Sequence, residues 1–287
     1  MIESLERMRE QIARKKREKP AYREILELYE SIKETQEAAR PSPDIVLPEL
    51  PEGLRKIETR EGFPLLSPDH FAIDLASSVF LFESICHVAR DATEKLRINI
   101  RAIEEATTIN ALNLRELLKR HSDQSFLEAT AREFNIDSAV LKFLVRAAVQ
   151  PSLEANVSNL EKLIDPANWL RGYCPICGSL PNISELKGEG QRHLSCSFCK
   201  FLWPAERLKC PFCQNRDTEK LHYIYEEGFE AYRADLCDNC KQYIKTVDMR
   251  KLGFEPELDI EDITSIHLDI LASEEGFRRP TAGPWGI

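Results

Sequence analysis

Apolar residues in the first half of the chain recur at three- and four-residue intervals. Further on they give way to short β-branched and aromatic runs. Residues 2–39 carry the helical period: Ile25, Leu28, Tyr29 and Ile32 share one face, and Pro20 divides the stretch into two helices. Residues 40–53 hold Pro41, Pro43, Pro48 and Pro51, which predicts an extended connector. Ser67-Pro68 has the form of an N-cap followed by proline at the first helical position. The helix it predicts places Phe71, Leu75, Val79, Phe82, Cys86 and Ala89 on one face, with Cys86 a small buried hydrophobe. More helix is predicted across 92–119, 124–134, 138–150 and 152–164, with Asp137 and Pro151 as punctuation. Residues 1–168 show no strand alternation and no catalytic motif, so they are expected to form an all-helical domain.

From Asn168 the texture changes. Arg192–Cys196, Lys220–Glu227, Phe229–Leu236 and Tyr243–Val247 read as strands, with a hairpin turn at Glu226-Glu227-Gly228. Beyond Asp248 the chain is acidic, and one helix is predicted from about Asp262 to Gly276, with Ile263, Ile266, Ile270 and Leu271 on a common face.

The strand-rich stretch also holds eight of the nine cysteines, in four Cys-x-x-Cys pairs: Cys174/Cys177, Cys196/Cys199, Cys210/Cys213 and Cys237/Cys240. Two intervening residues let one tight turn aim both sulfurs at a point, and two such turns supply the four thiolates of a tetrahedral zinc or iron site. The intervals within the first two and last two pairs are 18 and 23 residues, the first inside the usual range for such sites and the second slightly beyond it. Sequential pairing keeps each site within one short hairpin unit and minimises loop closure.

Two rival readings are a disulfide framework and a dithiol redox enzyme. Charges from Glu3 through Lys19 leave no apolar signal segment, so the chain is expected to be cytoplasmic with reduced thiols. Four evenly deployed pairs also suit metal better than one redox dithiol would. In Cys174-Pro175-Ile176-Cys177-Gly178 the glycine permits the positive φ that turns backbone N–H groups toward sulfur; Lys200, Gln214 and Lys241 occupy that place in the other knuckles. Four sulfurs leave no open coordination position, which implies a structural or electron-carrying site. His193 and His222 are expected to be packing or surface groups, and His267, on the apolar side of the last predicted helix, a core histidine.

At 287 residues, length suggests about two domains. No apolar run approaches a membrane span. Net charge is −9, yet residues 171–247 hold 11 Lys/Arg against 10 Asp/Glu, without the concentrated basic footprint that phosphate binding needs. No phosphate loop, nucleophile elbow or dinucleotide fingerprint appears, so no catalytic residue is assigned. Phe198, Phe201, Trp203 and Phe212 lie near the knuckles, suited either to a partner or to packing between ribbons.

The segment Trp169 to Pro181 (WLRGYCPICGSLP), the run Arg192 to Cys199, Trp203, Arg207 to Cys210, and Tyr232 to Lys245 together resemble the metal region of the formate dehydrogenase accessory (FdhE) family. The tail from Asp262 to Leu271, with Glu275-Gly276-Phe277 and Arg279, resembles that family's closing helix. The resemblance implies an α+β protein. An all-helical domain (1–168, connector 40–53) precedes two tandem rubredoxin-like or zinc-ribbon knuckle domains of four cysteines each (169–205 and 206–248) and an acidic C-terminal helix and tail (249–287). It further implies a non-enzymatic maturation factor whose partner is the catalytic subunit of formate dehydrogenase. Two metal ions are implied, iron favoured over zinc. A nucleic-acid-binding zinc ribbon and a rubredoxin-like redox protein are the alternatives.

Overall fold

The computed structural model describes residues 2–39, 45, 61–281 and 283, so the predicted connector lies almost wholly outside the described residues. The chain forms two compact units: a helical one ending at Ser158, and a second that begins at Asn159 and takes in the described residues 61–68.

In the helical unit, α1 (Ile2–Glu18) and α2 (Arg23–Ala38) are separated by a short 3-10 turn at Pro20–Tyr22, as the proline predicts. Leu26, Leu28, Tyr29 and Ile32 of α2 are buried, while Ile25 of the predicted stripe is half-buried. The helix expected after Ser67-Pro68 starts later than the sequence suggests. Ser67-Pro68 leads only into a 3-10 turn, Pro68–His70; α3 spans Leu75–Ala89, and its cap is Asp74, whose carboxylate accepts from Ser77 N–H at 3.0 Å. Cys86 is buried, as its position on the apolar face requires, and burial pushes its thiol up to about 12. The stretch 92–119 is two helices, α4 (Glu94–Thr108) and α5 (Leu114–Lys119), because Asn110 takes φ 56° and Asn113 caps the second. Helix α6 spans Gln124–Glu133.

Helix α7 (Ser138–Leu160) corrects another expectation: it runs through Pro151 unbroken. A proline there has no N–H for the carbonyl four residues back, which would orphan Ala147 O. The buried Gln36 of α2 donates its side-chain amide to that oxygen at 2.6 Å. A distant side chain thus replaces the missing backbone donor.

In the second unit, six strands form one sheet in the order β3-β2-β1-β6-β5-β4: β1 (Pro181–Lys187), β2 (Gln191–Cys196), β3 (Leu202–Ala205), β4 (Leu221–Ile224), β5 (Tyr232–Cys237) and β6 (Gln242–Asp248). Strands β1 and β3 escape the sequence reading. Each group of three neighbours is antiparallel, and the groups join through a parallel pairing of β1 with β6, Ile183 opposite Lys245. Two tandem ribbons therefore share one sheet. The predicted closing helix is two, α8 (Leu258–Ile263) and α9 (Ile266–Glu274); between them the Thr264 and Ser265 hydroxyls bond back to Ile260 O and Glu261 O. Leu268, Ala272 and Phe277 pack with Ile183, Tyr232, Ala234, Leu236, Tyr243 and Val247.

An ionic cluster pins these helices to the sheet. The Lys245 ammonium, fully buried, meets Asp262 at 2.7 Å and Asp269 at 2.6 Å, and the Arg279 guanidinium meets Asp262 at 2.7 Å. Burial would raise the Asp262 carboxyl, but the two cations overcome it and hold the group below the ordinary carboxylate range. Two cations against two carboxylates make the cluster neutral, which is what its burial demands.

Candidate metal centres

Each cysteine pair occupies a tight turn, and the same plan is used twice. Cys174/Cys177 lie in the turn preceding β1 and face Cys196/Cys199, at the end of β2. Cys210/Cys213 lie in the turn after β3 and face Cys237/Cys240, at the end of β5. The two groups are the sequential sets expected from loop closure, and within each the sulfurs lie within 4.8 Å of one another.

The spacing separates metal from disulfide. Cys174–Cys199 and Cys177–Cys196 sulfurs are 3.5 and 3.3 Å apart, and Cys210–Cys240 and Cys213–Cys237 are 3.7 and 3.6 Å apart. A covalent S–S bond is about 2.05 Å. The edge of a tetrahedron with 2.3 Å metal–sulfur bonds is about 3.8 Å, close to the second set and slightly wider than the first. The donor set and its spacing fit a tetrahedrally coordinated ion in each group.

Local backbone explains how the turns hold that shape. Gly178, Lys200, Gln214 and Lys241, each directly after the second cysteine of its pair, all take positive φ, between 54° and 75°. The amides of Phe198 and Cys199 donate to Cys196 Sγ at 3.3 Å, and Asn239 Nδ2 reaches Cys213 Sγ at 3.5 Å. Such donors favour thiolate. Burial pushes the Cys174 and Cys199 thiols up. At Cys213 burial acts the same way, but donors from Asn239 and the Asn215 amide prevail and bring it down to about 7. Four sulfurs this close cannot all ionise without a cation among them. All four cysteines of the first group are buried; in the second, Cys213 and Cys240 are half-buried.

No histidine joins either group among the described residues. His193 lies 3.8 Å from Glu185 and His222 3.3 Å from Asp238. His267, expected in the core, is half-buried beside Glu226 at 3.4 Å. Of the aromatics near the knuckles, Trp203 and Phe201 are buried, with Trp203 Nε1 donating to Arg171 O at 3.2 Å; Phe198 and Phe212 are half-buried. The first knuckle has a support that sequence reasoning missed. Leu65 and Leu66 amides donate to Pro175 O and Ile176 O at 3.0 and 2.9 Å, and Tyr173 OH donates to Gly62 O at 2.6 Å. Nothing periodic marks residues 62–66, so no sequence signal pointed to them.

Comparison with known proteins places this region. Residues 173–207 match the family model "FdhE, central domain", and residues 208–285 match "FdhE, C-terminal domain". The FdhE homolog of Aquifex aeolicus is 33% identical over 178 residues, covering 61% of this chain and 59% of that protein, so the match spans about three fifths of that relative's length. The FdhE homolog of Haemophilus influenzae strain PittGG is 28% identical over 236 residues, 80% of this chain and 74% of that one. The crystal structure of the FdhE protein from Pseudomonas aeruginosa shares the fold, with a TM-score of 0.72 over 98% of this chain and 95% of that chain at 22% identity. Among the described residues no helix is long and apolar enough to cross a membrane.

Proposed function

The chain belongs to the FdhE family, and from that premise we propose that it is a cytoplasmic accessory factor for formate dehydrogenase. In this reading it binds the enzyme's catalytic subunit during assembly and turns over no substrate itself. The observation that carries the reading is the pair of complete, closed four-cysteine groups within residues 173–285. Cys174, Cys177, Cys196 and Cys199 would hold one ion, and Cys210, Cys213, Cys237 and Cys240 the other. Iron and zinc both suit four thiolates. A bound ion would cross-link two turns of a small sheet, a structural service rather than an open catalytic site. The near-neutral balance of residues 171–247 supports a protein partner over nucleic acid.

A clean deletion strain tests this. Formate dehydrogenase activity should be lost while its catalytic subunit is still synthesised, and the tagged protein should co-purify with that subunit. Normal activity in a strain lacking any second copy would remove the reading, as would formate oxidation by the purified protein alone.

A further inference from the structure

Opposite the face packed by α9, the sheet carries a polar strip beside the second cysteine group, two of whose members, Cys210 and Cys237, border it. Register sets Tyr223 of β4 beside Asp235 of β5, and Asp235 beside Ile244 of β6, so these residues share one face. With residues 207–212 as a wall, this face encloses a cavity of about 180 Å³.

Its charge is unbalanced. Arg192, Arg207, Lys209 and Arg233 line the cavity against a single acid, Asp235. That carboxylate already serves Arg233 Nε at 2.7 Å, Arg192 Nη2 at 3.2 Å and the Thr246 hydroxyl at 2.7 Å. Lys209 is turned to Leu170 O and Glu206. The Arg192 side chain is only 4% exposed, and its Nε has no hydrogen-bond partner. A buried guanidinium with an unpaired donor leaves positive charge beside the cavity, and that charge favours an anion there. Arg207, exposed at the rim, has no ion pair among the described residues.

The remaining walls are apolar. Phe212, Leu221 and Ile244 line the interior, and Tyr223 and Leu208 stand 54% and 65% exposed at the mouth. The Arg233 guanidinium lies 4.7 Å from the Tyr223 ring centroid, which fixes that ring in place. A ligand must therefore present an anion next to an apolar group. The position of β4 argues for its source: among the described residues it is the last strand of the sheet and pairs on one side only. A free strand edge offers main-chain hydrogen bonds that a polypeptide can use and a small phosphate ester cannot. The chain as a whole carries net charge −9, so this basic patch suits a local carboxylate better than a long polyanion.

From this we infer that the cavity and the adjoining edge of β4 receive an extended acidic segment of a protein partner. One carboxylate enters toward Arg192 and Arg207 while a neighbouring apolar side chain rests on Tyr223 and Leu208. The inference rests on the partner-binding reading above and specifies the chemistry of the segment gripped.

Calorimetric titration of the metal-loaded full chain tests it with four probes: a synthetic peptide of alternating glutamate and valine, its glutamine–valine counterpart, ADP, and inorganic phosphate. The acidic peptide should bind, and the glutamine peptide should bind at least about ten-fold more weakly. Arg207→Glu and Tyr223→Ser alter exposed side chains and should leave melting unchanged, yet each should weaken the acidic peptide by about ten-fold or more. Equal binding of the two peptides, or unaltered affinity in both variants, overturns the inference. ADP or phosphate binding without peptide binding overturns it too, and reassigns the cavity to a small phosphate ligand. The deletion strain keeps the two ideas apart. If it loses formate dehydrogenase activity while the peptide fails to bind, this site falls and the accessory role stands; if it keeps activity, the accessory role falls.

Discussion

The residue after each Cys-x-x-Cys shows how little latitude a knuckle allows. Gly178 takes φ 75° without penalty, whereas Lys200, Gln214 and Lys241 adopt 63°, 63° and 54° against a cost of about 1–2 kcal/mol each. Their side chains offset part of that. Lys200 pairs with Asp259 at 2.7 Å, Gln214 donates to Pro211 O at 2.9 Å, and Lys241 pairs with Asp238. Lys241→Gly should stay within about 1 kcal/mol of the parent, because relief of the left-handed backbone balances loss of an exposed ion pair. Lys241→Val should destabilise by about 1–3 kcal/mol, since a β-branched residue tolerates that backbone poorly. Thermal melts of metal-loaded protein measure both, and equal melting of the two variants would contradict the argument. The clustering of the eight cysteines into two sequential sets was legible from spacing alone. The conformation of Lys200, Gln214 and Lys241 was legible only by analogy with Gly178, since lysine and glutamine give no sign of a positive φ.

Among the elements, two prolines with opposite outcomes mark the limit of local reading. Pro20 ends α1, while Pro151 lies inside α7, and the difference is Gln36, far away in sequence. Gln36→Leu should leave Ala147 O buried without a donor and destabilise by about 1–3 kcal/mol. In a Pro151→Ala background the restored backbone N–H can bond Ala147 O, so the same Gln36→Leu change should be markedly milder. A double-mutant cycle by urea denaturation reads the difference, and equal losses in both backgrounds would refute the compensation. Helices with a clear apolar period were predictable, as α2 and α6 are. Strand β1 was not: Asn182, Ser184 and Glu185 are buried within it, so it shows no alternation of apolar and polar positions. Strand β3 is four residues long and contains Pro204, too short for any periodicity to register.

For the second unit as a whole, spacing foretold two groups of four cysteines but not that one sheet unites them. The parallel seam is not local, since it sets Ile183 opposite Lys245 and Ser184 opposite Thr246, residues far apart in sequence. Two contacts stiffen that joint. The Ser184 and Thr246 hydroxyls bond across the parallel pair. Ahead of the first knuckle, Gly172 lies so close to the second that an added Cβ would stand 1.6 Å from Pro211 O. The two centres should therefore report on each other. In the parent protein a chelator should strip the second group first, because Cys213 and Cys240 are half-buried whereas the first group is wholly buried. Gly172→Ala leaves every thiol in place but forces the two turns apart, at a cost of about 1–3 kcal/mol or more. If the sheet couples the sites, this one methyl group should speed chelator release of both ions, followed by metal analysis over time, and the strand signal should be lost in a single transition. Faster release from the second group alone would mean that each ribbon stands by itself and that the parallel seam carries no strain between them.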